Sequence, residues 1–109
     1  RIVNVSSEMA SLSLIGQDYY PAAPSYRLSK AGLNALTVMW AKALSGSNIL
    51  INAYSPGWMQ TDMGGANAPF TADEGAETAL YLATLPEGGH QGKFFAEMRI
   101  AGGAVELPW

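Results

Sequence analysis

Tyr26-Arg27-Leu28-Ser29-Lys30-Ala31-Gly32-Leu33-Asn34-Ala35-Leu36-Thr37-Val38-Met39-Trp40-Ala41-Lys42-Ala43-Leu44, followed after a short polar link by Ile49-Leu50-Ile51-Asn52-Ala53-Tyr54, is the stretch that decides the fold. Pro24 and Ser25 precede it, and residues 26–44 hold no proline. Leu28, Ala31, Ala35, Leu36, Met39, Trp40, Ala43 and Leu44 fall at helical spacing, so this is the longest helix, with Gly46 as its stop. Leu33, Val38 and Ala41 lie off that stripe, which predicts two packed faces rather than one. Residues 49–54 read as a buried strand. It ends at Ser55-Pro56-Gly57, where proline removes a backbone donor and glycine permits unusual dihedrals.

Upstream, Arg1-Ile2-Val3-Asn4-Val5-Ser6-Ser7 starts inside what reads as a buried β-branched strand, with no initiator methionine, so the chain looks cut at its front. Residues 8–23, rich in Ser, Tyr and Pro without a stable period, read as a loop. Downstream, a polar loop runs to Phe70. Thr71-Ala72-Asp73-Glu74 then has the Thr-x-x-Glu pattern of a capping box and opens a helix that ends before Pro86. Gly88-Gly89-His90-Gln91-Gly92 is a turn, Lys93-Phe94-Phe95-Ala96-Glu97 a third, weaker strand, and the tail carries no firm assignment. The order βαβαβ predicts an α/β fold: a parallel sheet flanked by helices, with right-handed crossovers, as in half of a doubly wound sheet.

Composition narrows the function. A length of 109 residues suits one domain and excludes a two-domain enzyme, and 49% hydrophobic against 14% charged residues, with a mean hydropathy of +0.07, argues against disorder. A net charge of −3 gives no electrostatic footprint for nucleic acid or anionic lipid. No apolar run approaches the roughly 20 residues that span a bilayer, so the expected location is cytoplasmic. With no cysteine and one histidine, metal catalysis has little to stand on.

Tyr26 and Lys30 are four apart at the start of the long helix, so their side chains share a face one turn apart. A free phenol, with a pKa of about 10, is a poor proton exchanger at neutral pH. A neighbouring ammonium and the positive end of a helix dipole both favour the phenolate. Ser7 closes the first strand, where open α/β sheets place their ligands, and its hydroxyl is suited to orient a substrate oxygen. Taken singly, each has a plain alternative: a chance Tyr–Lys spacing, and a serine that ends a strand or caps a helix.

In order, Asn4-Val5-Ser6-Ser7, Tyr26-Arg27-Leu28-Ser29-Lys30 and Ser55-Pro56-Gly57-Trp58-Met59-Gln60-Thr61-Asp62-Met63 resemble the short-chain dehydrogenase/reductase family, with its Rossmann-type fold. Glu74-Gly75-Ala76-Glu77-Thr78 and Gly92-Lys93-Phe94 look most like its carbonyl reductases. The resemblance implies an NAD(P)-dependent oxidoreductase acting on a carbonyl or secondary alcohol. Tyr26 would be the acid in reduction and the base in oxidation. Lys30 would lower the Tyr26 pKa and bind the nicotinamide ribose, and Ser7, with Ser6 as fallback, would hold the substrate oxygen. Pro56, Gly57, Trp58 and Met59 would line the nicotinamide, with the Thr61 hydroxyl near the carboxamide or diphosphate. The carbonyl reductase likeness tips the cofactor toward NADP over NAD. Ser7 and Tyr26 lie further apart than is usual in the family, which implies an insertion beside the substrate pocket, where Tyr19, Tyr20 and Pro21 would shape specificity.

The family's glycine-rich diphosphate turn is not matched, because no two glycines are separated by a single residue. The match therefore reads as residues 1–109 forming a single partial Rossmann-type domain, the C-terminal catalytic half, without the N-terminal dinucleotide-binding half and with an unpaired sheet edge. Two alternatives stand beside the enzyme: a noncatalytic half domain that associates with a partner, and the epimerase or dehydratase branch of the same family. The long helix predicts a homo-oligomer formed through it. His90 reads as a solvent-exposed turn residue, Met39 and Trp40 as core or interface, and Asp73, Glu74 and Glu77 as first-turn charges complementing the helix dipole.

Overall fold

A computed structural model of the chain describes residues 1–17 and 20–109. Among the described residues three parallel strands, β1 (Ile2–Val5), β2 (Ile51–Tyr54) and β3 (Phe94–Phe95), form one sheet in the order β1-β2-β3. Helix α1 (Pro24–Ala43) joins the first two strands, α2 (Ala72–Ala83) joins the second and third, and a short α3 (Met98–Ala101) follows.

Helix α1 begins at Pro24, whose missing N–H costs nothing in the first turn. The residue before it, Ala23, is left-handed (φ 33°, ψ 57°) and makes no side-chain cap. At α2 the expected capping box is complete: the Thr71 hydroxyl accepts from the Glu74 N–H at 3.2 Å, and the Glu74 carboxylate accepts from the Thr71 N–H at 2.8 Å.

Alternation along the strands sends Val3, Tyr54 and Phe95 to the face covered by α2, where they meet Leu50, Leu82 and Leu85 in the apolar core. Asn4 and Ser6 point the other way and bond to α1. The face of α1 on the sheet is thus polar. Arg27, Asn34, Thr37 and Ala41 are its buried residues, while Leu28, Val38, Met39 and Trp40 are exposed. The sequence predicted apolar packing on this helix; the sheet instead takes its polar stripe, because Asn4 of β1 and Ser6 just after it offer hydrogen-bonding groups to it. The two crossovers step across the sheet in the same direction through opposite faces. They therefore have opposite hands, and one departs from the predicted right-handed pair; the long loop after β2 gives the chain the reach to change faces.

Strand β1, expected to be buried, is half-covered and leaves Val5 46% exposed, since β2 is its one neighbour among the described residues. The unassigned tail proves ordered: the Leu107 N–H donates to Phe94 O and the Ala96 N–H to Val105 O, and the Trp109 ring stacks on Phe94 at 5.4 Å. His90 is not a solvent-exposed turn residue. Its ring packs edge-on to Phe95 with centroids 5.0 Å apart and lies 3.2 Å from the Tyr81 hydroxyl. No helix among the described residues is long and apolar enough to cross a membrane.

Candidate active site

Parallel strands present their C-terminal ends at one edge of the sheet, and the sequence-predicted residues gather there. Three contacts dock α1 on the end of β1. Asn4 Nδ2 donates to Thr37 Oγ1 at 2.8 Å, the Ser6 hydroxyl donates to Asn34 Oδ1 at 2.6 Å, and Lys30 Nζ donates to Val5 O at 2.8 Å. Thr37, Asn34 and Lys30 stand one helical turn apart, so one stripe of α1 reads three successive residues, the last two of β1 and Ser6 just after it. The Lys30 ammonium lies 5.9 Å from the centroid of the Tyr26 ring, with two of its three protons left after the bond to Val5. Tyr26 is half-buried on the first turn of the same helix.

The two serines separate by their hydrogen bonds. Ser6, 2% exposed, spends its proton on Asn34. Ser7 caps a single 3₁₀ turn, Glu8–Ala10, where its oxygen accepts from the Met9 N–H at 3.2 Å. No acceptor among the described residues takes the Ser7 proton, so Ser7 keeps a donor at the strand end.

The Ser6 N–H donates to Tyr54 O and the Ser55 N–H to Phe95 O, so the loops after β1 and β2 leave the sheet side by side. In the second loop Gly57 has φ 78°, a conformation that only glycine adopts without strain. The Trp58 indole N–H donates to Gly64 O at 2.8 Å, and the ring is 56% exposed. The Thr61 hydroxyl accepts from the Gly64 N–H at 3.1 Å. The Met59 side chain turns into α2, filling the space where Gly75 lacks a Cβ, so Met59 offers a ligand its backbone alone. Pro56 is buried at the start of this loop.

Tyr54, at the C-terminal end of β2, is buried; burial and then the nearby Glu97 carboxylate push its phenol above its ordinary value, which keeps it neutral. Tyr19 lies outside the described residues. Arg27 carries a role the sequence did not reveal. Its guanidinium is buried and donates to the carbonyls of Met9, Tyr20, Pro21 and Ala22.

The profile of the family described as short chain dehydrogenase matches residues 1–71. Carbonyl reductase [NADPH] 1 of Bos taurus is 46% identical over 83 residues, covering 70% of this chain and 30% of the relative; the Homo sapiens protein of the same name is 45% identical over 83 residues with the same coverage. Among solved structures, the carbonyl reductase Sniffer of D. melanogaster superposes with a TM-score of 0.79 at 28% identity, over 99% of this chain and 40% of that one. The NADPH-bound carbonyl reductase from chicken fatty liver gives 0.77 at 34% identity, over 99% and 42%. The chain spans about a third of the length of the mammalian relatives it matches. With the sheet edge, the Tyr26–Lys30 pair and the Pro-Gly loop in place, these matches establish that the chain belongs to the short-chain dehydrogenase/reductase family, in its carbonyl reductase subgroup.

Proposed function

We propose that the chain carries the proton-transfer portion of an NADP-dependent carbonyl reductase, with Tyr26 as acid, Lys30 as its cationic neighbour and Ser7 as the donor to the substrate oxygen. The observation that carries this reading is the docking of Lys30 on Val5 O. That bond fixes the first turns of α1, and with them Tyr26, against the strand end from which Ser7 emerges. The names of the mammalian relatives and of the chicken structure support NADPH as the reductant.

The residues present suit the nicotinamide end of such a cofactor. Lys30 has protons left for ribose hydroxyls, Thr61 has a hydroxyl beside the loop, and Pro56, Gly57, Trp58 and Met59 give that loop its shape. Bound NADPH supplies the hydride for the carbonyl carbon. The Ser7 hydroxyl donates to the carbonyl oxygen and orients it. Tyr26 gives that oxygen its proton, so that ketone plus hydride plus proton becomes alcohol; in the reverse direction Tyr26 takes the proton back. Tyr54 is no substitute, because it is buried in the core out of reach of a substrate, and burial with the nearby Glu97 makes its phenol a weaker acid.

The test is Tyr26→Phe in the full-length protein that contains this chain. NADPH consumption with a carbonyl substrate is expected to fall by roughly 100-fold or more, with circular dichroism unchanged. Undiminished turnover would refute the assignment.

A further inference from the structure

We propose that Arg27 is a positioning residue for the substrate side of this site: through Met9 it holds the turn that orients Ser7, and through Tyr20, Pro21 and Ala22 it fixes the wall beside Tyr26. The proposal rests on the reading of Ser7 and Tyr26 given above.

Arg27 follows Tyr26 on α1 and is 8% exposed. Its Nη1 donates to Met9 O at 2.9 Å, Nη2 to Pro21 O at 3.0 Å and Tyr20 O at 3.4 Å, and Nε to Ala22 O at 2.9 Å and Pro21 O at 3.3 Å. A planar fork with five donors can serve carbonyls on two sides at once; an ammonium on a flexible stem cannot reproduce that arrangement. The two sides are the two arms of the loop between Ser7 and Tyr26.

Met9 is the link to the chemistry. Its N–H donates to Ser7 Oγ while its carbonyl accepts from Arg27, so one peptide turn stands between the guanidinium and the serine that keeps a free donor. On the other arm, Ala23 is the one described non-glycine residue with positive φ, at 33°. A left-handed alanine is disfavoured by contact between Cβ and the backbone, and persists where its surroundings impose it. The Arg27 side chain braces it by holding Ala22 O, while the Arg27 N–H makes the first intrahelical bond, to Ala23 O at 3.0 Å. The Tyr20 hydroxyl adds a second tie between the arms by donating to the carboxylate of Glu8, the neighbour of Ser7.

The experiment uses the full-length protein containing this chain, as wild type, Arg27→Lys and Arg27→Gln, with two readouts. The first is steady-state kinetics with a small aldehyde and a bulky aryl ketone, beside the Kd for NADPH. Loss of the fork is expected to raise KM for the aryl ketone about tenfold, change KM for the aldehyde less than about threefold, and leave NADPH binding unchanged within about twofold. The second is hydrogen exchange at the Met9 and Arg27 amides, expected to quicken about tenfold in both variants while β2 stays protected. Arg27→Lys keeps the charge without the fork and provides a folded variant if Arg27→Gln does not fold. Unchanged exchange in either folded variant, or equal losses for both substrates and for NADPH, would overturn the proposal, as would failure of both variants to fold. A wild type that reduces neither carbonyl would overturn the functional reading instead, and the exchange measurement would still decide whether Arg27 holds the loop.

Discussion

Ser6 and Ser7 stand side by side in sequence and do different work. Ser6 is buried and bonds Asn34, whose Nδ2 is already without a partner among the described residues. Ser6→Ala leaves Asn34 Oδ1 unpaired as well, and is expected to cost roughly 1–3 kcal/mol in stability, read by denaturant unfolding, with activity per folded molecule retained. Ser7→Ala is expected to do the reverse: a small stability change from a weak cap, with kcat lowered by roughly 100-fold. Equal activity losses in the two variants would contradict this division. The motif alone favoured the second serine but left the first as fallback, because neighbouring residues of one chemical type differ only through their hydrogen-bonding partners. Arg27 was invisible for the same reason. A cation on a helix reads as surface charge until the carbonyls it meets, from residues 9 and 20–22, are brought together by the fold.

Helix α2 shows how much of an element is legible when the signal is local. Thr71 and Glu74 announce its start three residues apart, and the box forms as read. Thr71→Ala is expected to cost about 1 kcal/mol, measured as a shift in the urea midpoint. Hydrogen bonds from the Thr71 backbone and hydroxyl, with Arg99 adding, hold the Glu74 carboxyl below its ordinary value of 4.5. The sign follows: a carboxyl depressed in the folded state adds stability above its unfolded pKa and loses it as pH falls through the depressed value. In Glu74→Gln the fall in stability between about pH 5 and pH 3 is expected to be shallower than in wild type, followed by urea midpoints across that range. The bonds of Arg99 to Glu74 at 2.9 Å and Glu77 at 2.6 Å, which join α3 to α2, were not foreseeable, since the tail lacks any periodic pattern. The packing of α1 departs from its sequence pattern because the apolar spacing is real but belongs to the outward surface. Its inward stripe is specified by Asn4, Val5 O and Ser6, partners more than twenty residues away.

At the scale of the whole molecule, the sheet is finished on one side and open on the other. The tail residues around Glu106 pair with Phe95 and cover the β3 edge, whereas β1 has β2 alone as a neighbour among the described residues. Exposed peptide groups along a β-branched strand invite pairing with another chain, and Leu28, Met39 and Trp40 add apolar surface on the outer side of α1, at 72%, 59% and 48% exposure. Residues 1–109 produced alone are therefore expected to self-associate, seen as a weight-average mass in sedimentation that rises with concentration. Two contributions separate by substitution. Met39→Glu with Trp40→Lys removes the apolar surface and leaves the strand edge intact. If α1 is the contact, this pair shifts the association midpoint at least about tenfold, since burying one large apolar side chain contributes roughly 1.5–3 kcal/mol. If the strand edge dominates, Val3→Pro lowers association while the α1 pair does not, because proline removes the edge donor. In the full-length protein, the same α1 pair distinguishes a surface buried within one molecule from one shared between copies: loss of stability at constant mass marks the first, and loss of mass with stability kept marks the homo-oligomer.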